Sequence, residues 1–168
     1  MTDPQGREET LSTIQVDFHL PTRFDLRFQR GDVMERPVIV HRSIVSTMER
    51  MVAHLLEVHD GALPVWLAPV QVAILPVGDA AAPHAQRVVD ALSDAGLRAE
   101  IDDRVQTLSA RVREAWRLRV PYVAVVGARE AAQDAVAVRL RGGAQLDAGA
   151  FVSLVSDAVT RRLREPAR

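Results

Sequence analysis

From residue 70 onward, short apolar segments typical of strands alternate with longer segments of helical periodicity. This alternation limits the possible folds more than any other feature of the sequence. The predicted strands span residues 70–77, 97–101, 121–126 and 136–139, and the predicted helices span residues 82–95, 108–118 and about 147–163. Strands that alternate with helices favour α/β layering, in which helices cover a mostly parallel sheet. We expect a mainly parallel sheet of about five strands with helices on its faces.

The part before residue 60 has a different pattern. Apolar residues alternate with polar ones over residues 12–20 and again over 24–28, a possible turn follows at Gly31-Asp32, and residues 37–41 form a third candidate strand. This period of two predicts a small antiparallel meander. Apolar residues at helical spacing then run from Ile44 to Leu56, and Ser43 is a plausible N-cap for the helix that they predict.

Gly61, Pro64 and Pro69 interrupt the chain between these two patterns. Glycine and proline punctuate regular structure, so we place a domain boundary there. The predicted organisation is a polar N-terminal segment at residues 1–11, a β-plus-helix part at residues 12–67 and an α/β domain at residues 68–168.

Composition excludes several classes of function. The chain has 168 residues, a formal net charge of -1 and no cysteine, which excludes disulfides and cysteine–metal sites. All 21 basic residues are arginine, yet no global basic field indicates nucleic acid, so any RNA contact must come from a local patch. No apolar run is long enough for a bilayer and no signal segment opens the chain. We expect a cytoplasmic protein that binds neither membrane nor DNA.

Several segments resemble a known family. The most specific are TIQVDFHLPTRFDL, HRSIVSTMERM and WLAPVQ, followed by ILPVGD, RVREAWRLRVPYVAVVGARE and VAVRLRGG. Together they are similar to the C-terminal part of threonyl-tRNA synthetase, from the end of its class II catalytic domain through its anticodon-binding domain. The resemblance implies that residues 68–168 have the α/β fold of an anticodon-binding domain and that residues 12–67 are a remnant of the catalytic domain.

The resemblance also carries catalytic roles onto three residues. Arg50 closes motif 3 and matches an arginine that contacts the ATP phosphates, Gln15 matches a residue near the threonine site, and His41 matches one of three zinc ligands. A catalytic zinc needs about three protein ligands, and the family's other two lie upstream of this sequence. The family's cofactors are zinc and ATP with magnesium. Because motifs 1 and 2 are also missing, we expect no cofactor and no ligase activity for this chain alone.

Local departures from the family strengthen that expectation. Glu9, Thr10 and Leu11 stand where the family usually has tryptophan, glutamine and cysteine, and Ser46 replaces a glycine of motif 3. These positions line the nucleotide and amino-acid pockets of the family.

The candidate tRNA-binding residues lie in the second part. Val105 stands where the family has an asparagine that contacts an anticodon base, and valine can neither donate nor accept a hydrogen bond. Arg113, Glu130 and Arg139 match family positions and can contact an unstacked base, or can form surface ion pairs instead. Four further arginines could contact phosphates or only solvate the surface: Arg111, Arg117, Arg119 and Arg141.

Three functions remain open at this point. The chain could be a tRNA-binding accessory module, a protein-interaction module that has lost anticodon readout, or a fragment of a full-length threonine–tRNA ligase. Val105 favours the second, whereas Arg113, Glu130 and Arg139 favour the first. Weak tRNA binding is the expected nucleic-acid contact. A homo-oligomer or a protein partner is expected through residues 12–59, because their apolar side chains would otherwise be uncovered.

Overall fold

The chain divides into two units, Met1–Val58 and His59–Arg168. The computed structural model describes Thr2 and residues 6–8, 10–139 and 144–163. In unit 1 (Met1–Val58) the elements are β1 (Thr13–Asp17), α1 (His19–Arg23), β2 (Phe28–Arg30), β3 (Val33–Glu35), β4 (Ile39–Ser43) and α2 (Met48–Val58). In unit 2 (His59–Arg168) they are β5 (Val72–Pro76), a 3-10 turn (Asp79–Ala81), α3 (Ala82–Asp94), β6 (Ala99–Ile101), α4 (Leu108–Arg117), β7 (Tyr122–Val126), α5 (Ala128–Ala132), β8 (Ala135–Val138), β9 (Ala144–Asp147) and α6 (Ala148–Thr160).

Unit 2 is built on a five-stranded sheet in the order β6-β5-β7-β8-β9. Strand β5 pairs in parallel with β6 and β7, whereas β8 pairs antiparallel with both β7 and β9. Four strands therefore run in the same direction and β8 alone is reversed. This confirms the predicted α/β class and the five strands, but the sheet is mixed, because two of its four pairings are parallel and two are antiparallel. The described helices are too short or too polar to cross a bilayer.

Helices cover both faces of this sheet. On one face α3 and α6 pack against alternate residues of β5, β7 and β8, and Tyr122 meets Phe151 edge-to-face at 6.1 Å between ring centroids. On the other face α4 packs against Ala73 and Leu75 of β5 and against Val123 and Val125 of β7. All five residues of β5 and of β7 are buried, which explains why both strands read as continuous apolar runs.

Residues 65–69 are fastened to the sheet by two polar side chains. Buried Gln71 donates from its side-chain amide to the carbonyl oxygen of Val65 at 2.9 Å and accepts from the backbone N–H of Arg98 at 2.9 Å. The Arg98 guanidinium donates to the carbonyl oxygens of Trp66, Ala68 and Pro69 at 2.8–3.2 Å. The loop that precedes β5 therefore belongs to unit 2.

Unit 1 holds two separate two-stranded sheets in place of one meander. Strand β1 pairs antiparallel with β4, and β2 pairs with β3 as a hairpin between them. The predicted first strand ends earlier because a side-chain oxygen of Asp17 accepts from the N–H groups of His19 and Leu20 at 2.7 and 3.0 Å, which starts α1. The predicted strand at residues 24–28 begins only at Phe28.

The predicted N-cap of the long helix is wrong. Ser43 is the last residue of β4, and α2 begins five residues later at Met48. Ser46 has a left-handed backbone with φ of 56°, and the Thr47 hydroxyl accepts from the backbone N–H of Arg50 at 3.4 Å. The first residues of the predicted apolar stripe therefore lie in a loop, since a left-handed residue interrupts helical geometry.

Candidate nucleic-acid interface

The β1–β4 pair brings together two of the residues predicted at the amino-acid site. Gln15 lies directly opposite His41 in the antiparallel register, so both side chains project from the same face. His41 Nε2 lies 3.0 Å from a carboxylate oxygen of Asp17, two residues further along β1. The N–H group of Leu20, together with His41, lowers the pKa of the Asp17 carboxyl. These residues line one open depression in unit 1.

The predicted zinc ligand His41 lies at this depression. Among the described residues no three histidine, cysteine, aspartate or glutamate side chains are grouped closely enough to hold a metal ion. His41 has Asp17 as its neighbour, and zinc needs about three protein ligands. The predicted phosphate ligand Arg50 is exposed in the first turn of α2. Glu9 lies outside the described residues, and the roles given to Gln15, His41 and Arg50 stay predictions.

In unit 2 two candidate arginines lie on the side of the sheet that α4 covers. The backbone N–H of Arg139 donates to the carbonyl oxygen of Val123 at 2.7 Å, which continues the β7–β8 pairing by one residue. Val123 faces α4, and residues that lie opposite each other across paired strands share a face. Arg139 therefore projects on the α4 side, as does Arg113, which is exposed on α4 itself.

The two flanks of α4 differ in what they meet. One flank carries Ala115 and Leu118, which line a cavity of about 460 Å³ together with Ala73 of β5 and Ile101 of β6. Trp116 lies on the flank opposite Leu118, because the two residues are two positions apart and helical residues rotate by about 100° each. Since β5 and β6 lie on the cavity side, the Trp116 flank faces the side of β7 and β8, where Arg139 projects.

Neither Arg113 nor Arg139 has a fixed side-chain partner in the part of the chain that the structure describes. Their guanidinium groups make no ion pair or hydrogen bond there, and both residues are exposed. An unpaired guanidinium on a protein surface is free to bind phosphate or to stack on a base. These two residues are thus available for the role predicted from the sequence.

Val105 is fully exposed in the loop that joins β6 to α4. Arg104 beside it donates twice to the Asp102 carboxylate, at 2.8 and 2.7 Å. This contact with Arg104 lowers the pKa of the Asp102 carboxyl and occupies the Arg104 fork. Thr107 caps α4 by accepting from the N–H of Ala110 at 3.3 Å. The loop therefore presents an apolar side chain where the family has an asparagine.

Glu130 has a structural contact of its own. Its carboxylate accepts from the backbone N–H of Gly127 at 3.0 Å and closes the first turn of α5. Burial raises the pKa of the Glu130 carboxyl, but hydrogen bonds from the N–H groups of Glu130 and Gly127, together with Arg129, outweigh it and leave the pKa below its ordinary value. The side chain is only 12% exposed. Its predicted contact with an RNA base stays a prediction, and one carboxylate oxygen is already engaged.

The four additional arginines separate into different environments. Arg111 is buried and donates to the carbonyl oxygens of Asp102 and Pro76 at 2.6 and 2.8 Å, so it joins the ends of β5 and β6 rather than facing phosphate. Arg117 pairs with Glu114 through two contacts at 2.8 and 2.7 Å, and Arg119 lies 3.6 Å from Asp60. Arg141 lies outside the described residues.

Comparison with known proteins identifies this fold. The family model described as "Anticodon binding domain" matches residues 71–160, and the chain belongs to that family. Within it, the chain resembles the C-terminal part of threonyl-tRNA synthetase. It is 48% identical over 161 residues to a threonine–tRNA ligase of Listeria monocytogenes, an alignment that covers 93% of this chain and 25% of the ligase. The chain thus spans about a quarter of the length of the curated relatives it matches.

Solved structures agree with this assignment. The RNA-binding domain of threonyl-tRNA synthetase from Cryptosporidium parvum Iowa II superposes with a TM-score of 0.75 at 32% identity and covers 94% of this chain and 41% of its own. A prolyl-tRNA synthetase from Giardia lamblia gives a TM-score of 0.78 at 21% identity, covering 97% of this chain and 39% of its own, and shares the fold.

Proposed function

We propose that this chain binds tRNA on the α4 side of its sheet as a threonyl-tRNA synthetase-like module. The observation that carries this proposal is the position of Arg113 and Arg139 on one side of an anticodon-binding fold, both without partners in the described part of the chain. Membership of the family and 48% identity to a threonine–tRNA ligase support the choice of tRNA as the RNA.

The expected binding is weak, sensitive to salt and poorly selective. Two free guanidinium groups attract phosphates, and such affinity falls as the salt concentration rises, because the release of counterions from the RNA then gains less free energy. Selectivity requires contacts with base edges, and Val105 offers neither a donor nor an acceptor. The net charge of -1 adds no long-range attraction.

A filter-binding titration tests this proposal. Threonine tRNA and an anticodon-swapped control are titrated at two salt concentrations against the chain and its Arg113→Ala and Arg139→Ala variants. Both variants should bind more weakly than the parent chain. Arg117→Ala is the matched control, since its guanidinium already pairs with Glu114 and its removal should change affinity little.

A substitution at Val105 adds a second test to this titration. Val105→Asn restores a donor and an acceptor at an exposed site and should improve discrimination between the two tRNAs. Tight and threonine-specific binding by the parent chain would instead show that Val105 does not limit readout. No binding of either tRNA at low salt would contradict the proposed function.

We further propose that the chain has no ligase activity of its own. It lacks motifs 1 and 2, and His41 has no second and third metal ligand among the described residues. Threonine-dependent exchange of pyrophosphate into ATP should therefore remain at background. Exchange above background that Arg50→Ala abolishes would overturn this expectation.

A second candidate function is protein binding through unit 1. Large apolar side chains are exposed on both of its sheets and on α2, including Ile14, Val33, Val40 and Met48 at 60–71% exposure. Exposed apolar patches of this kind mark interfaces. A second copy of the chain, or the remaining three quarters of a full-length ligase, would cover them. Light scattering that shows a strict monomer at high concentration, with no partner recovered by pull-down, would contradict this candidate.

A further inference from the structure

Trp116 is an unusual residue for the surface of unit 2. Within the described residues only four large hydrophobic side chains of this unit are exposed, and they are Val77, Val105, Trp116 and Leu118. The Trp116 side chain is 56% exposed and its indole N–H makes no hydrogen bond in the described part of the chain. More than half of the Trp116 surface is therefore open to solvent, and tryptophan is enriched at binding surfaces.

Two arginines without partners in the described part of the chain lie on the same side of the sheet as Trp116. Arg113 lies one helical turn before it on α4 and has no partner among the described residues. The one carboxylate of α4 is Glu114, which projects toward the other flank and pairs with Arg117 at 2.7 Å. Arg139 projects on the same side of the sheet. An aromatic ring on the same side of the sheet as unpaired arginines suits a polyanion that also has flat apolar groups.

We propose that Trp116 stacks on an unpaired base of the RNA bound on the α4 side of the sheet, with Arg113 and Arg139 holding the adjacent phosphates. This inference rests on the proposed tRNA binding and adds a base-stacking contact to it. Unpaired loop bases can splay out and stack on aromatic side chains, whereas paired bases cannot. The occupant is therefore a single-stranded loop rather than a duplex.

This arrangement also compensates for the loss of base reading at Val105. Every base has a π-face, so stacking on an indole supplies affinity with little dependence on sequence. A hydrogen bond from asparagine would supply discrimination instead. The exchange of one contact for the other predicts a module that holds an anticodon loop without selecting among loops.

Leu118 provides a matched control. It directly follows the last residue of α4 and is 60% exposed, but it lies on the cavity flank. Removal of either side chain deletes a comparable exposed apolar group, and both variants should fold because neither residue is buried. A general apolar contact would be weakened by both changes, whereas base stacking depends on Trp116 alone.

The experiment compares the parent chain with Trp116→Ala, Trp116→Phe and Leu118→Ala. Each is titrated with the anticodon stem-loop of threonine tRNA and with a fully paired duplex of the same length, over a range of salt. Trp116→Ala should weaken loop binding about 5- to 100-fold, Trp116→Phe should restore part of that loss, and Leu118→Ala should match the parent. The slope of log affinity against log salt should be unchanged by Trp116→Ala and reduced by about one in Arg139→Ala.

Fluorescence supplies an independent readout. Trp66 and Trp116 are the two tryptophans of the chain, so Trp66→Phe leaves Trp116 as the single indole. Addition of the stem-loop should quench its emission if a base stacks on it, and addition of the duplex should not.

The outcomes separate this inference from the function on which it rests. Stem-loop binding that Trp116→Ala leaves intact, or that Leu118→Ala weakens equally, would overturn the stacking contact while tRNA binding stands. Absence of any RNA binding by the parent chain at low salt would overturn both.

Discussion

The two units of this chain place the same kinds of apolar side chain in opposite environments. Ile74 at the centre of the unit 2 sheet is fully buried, whereas Ile14 on β1 of unit 1 is 66% exposed. Every residue of the buried hydrophobic core among the described residues belongs to unit 2, and all but four of the exposed large hydrophobic side chains belong to unit 1. Unit 2 therefore has a packed hydrophobic core of its own, whereas the large apolar side chains of unit 1 are mostly exposed.

The largest expected difference is between two isoleucine substitutions, one at buried Ile74 of unit 2 and one at exposed Ile14 of unit 1. Ile74→Ala should destabilise the chain by about 4 kcal/mol, since it removes buried methyl groups and leaves a cavity. Ile14→Ala should change the free energy of unfolding by less than about 0.5 kcal/mol, because its side chain is already solvated. Urea denaturation of both variants measures this difference. Equal losses would mean that Ile14 is covered in solution, as self-association through unit 1 would produce.

Two arginines allow the same comparison between a buried and an exposed side chain, Arg111 in unit 2 and Arg50 in unit 1. Arg111→Leu should destabilise unit 2 by about 3 kcal/mol, because the carbonyl oxygens of Pro76 and Asp102 lose their donors. Arg50→Leu in unit 1 should have little effect, since Arg50 is exposed. Thermal melts followed by circular dichroism would compare them. If Arg111→Leu melts with the parent chain, the two carbonyl groups are satisfied by water and the buried contact is not needed.

A pH effect comes from the cap of α5. The pKa of Glu130 is depressed in the folded chain, so the unfolded chain binds the proton more tightly and stability rises with pH in this range. The contribution of Glu130 is complete above its ordinary pKa of 4.5 and is lost as the pH falls through the lower folded value. Glu130→Gln should lower stability at pH 7 by less than about 1 kcal/mol and flatten the dependence below pH 4.5. Urea midpoints at several pH values test this, and an unchanged slope would show that another carboxylate is responsible.

The smallest effects belong to surface ion pairs, and here the two units should not differ. In the Glu114–Arg117 pair of unit 2 and the Arg30–Glu35 pair of unit 1, the arginine is exposed and the glutamate is half-buried. Removal of either arginine should cost at most about 0.5 kcal/mol. A clearly larger loss for Arg117→Ala, measured by denaturation at low and high salt, would indicate that its two-point contact is held by more than the surface pair itself.

The sequence predicted the interior of unit 2 better than its edges. Strands β5 and β7 could be predicted because short, continuous apolar runs are typical of buried strands. Helices α3, α4 and α6 could be predicted from the helical spacing of their apolar residues. Strand β9 was missed because its four residues are mostly exposed and polar and are held by pairing with β8. Helix α5 was missed because five residues carry no periodicity, and its first turn depends on the contact between Glu130 and Gly127.

Unit 1 was harder to predict because period-two patterns do not specify which strands pair. The segment around Phe24 alternates like a strand, but it follows α1, which the Asp17 cap initiates. At the candidate sites the sequence identified Gln15 and His41 separately. That they lie opposite each other on β1 and β4 could be known only from the strand register in the structure. The burial of Arg111 and the exposure of Trp116 depend on which flank of α4 meets the sheet. Helical spacing alone does not fix that orientation for a helix of 10 residues with both polar and apolar flanks.

Because residues 65–69 are hydrogen-bonded to the sheet, the segment needed for a stable fold is longer than the segment that matches the family. The family match begins at residue 71, yet the acceptors for Gln71 and Arg98 are carbonyl groups of Val65, Trp66, Ala68 and Pro69. A recombinant domain trimmed to the match would leave the buried Gln71 amide without its acceptor and would uncover one wall of the sheet. If this domain were transferred to another protein in evolution, the preceding loop would therefore have to be transferred with it, because that loop is part of the folded domain and not an exchangeable linker.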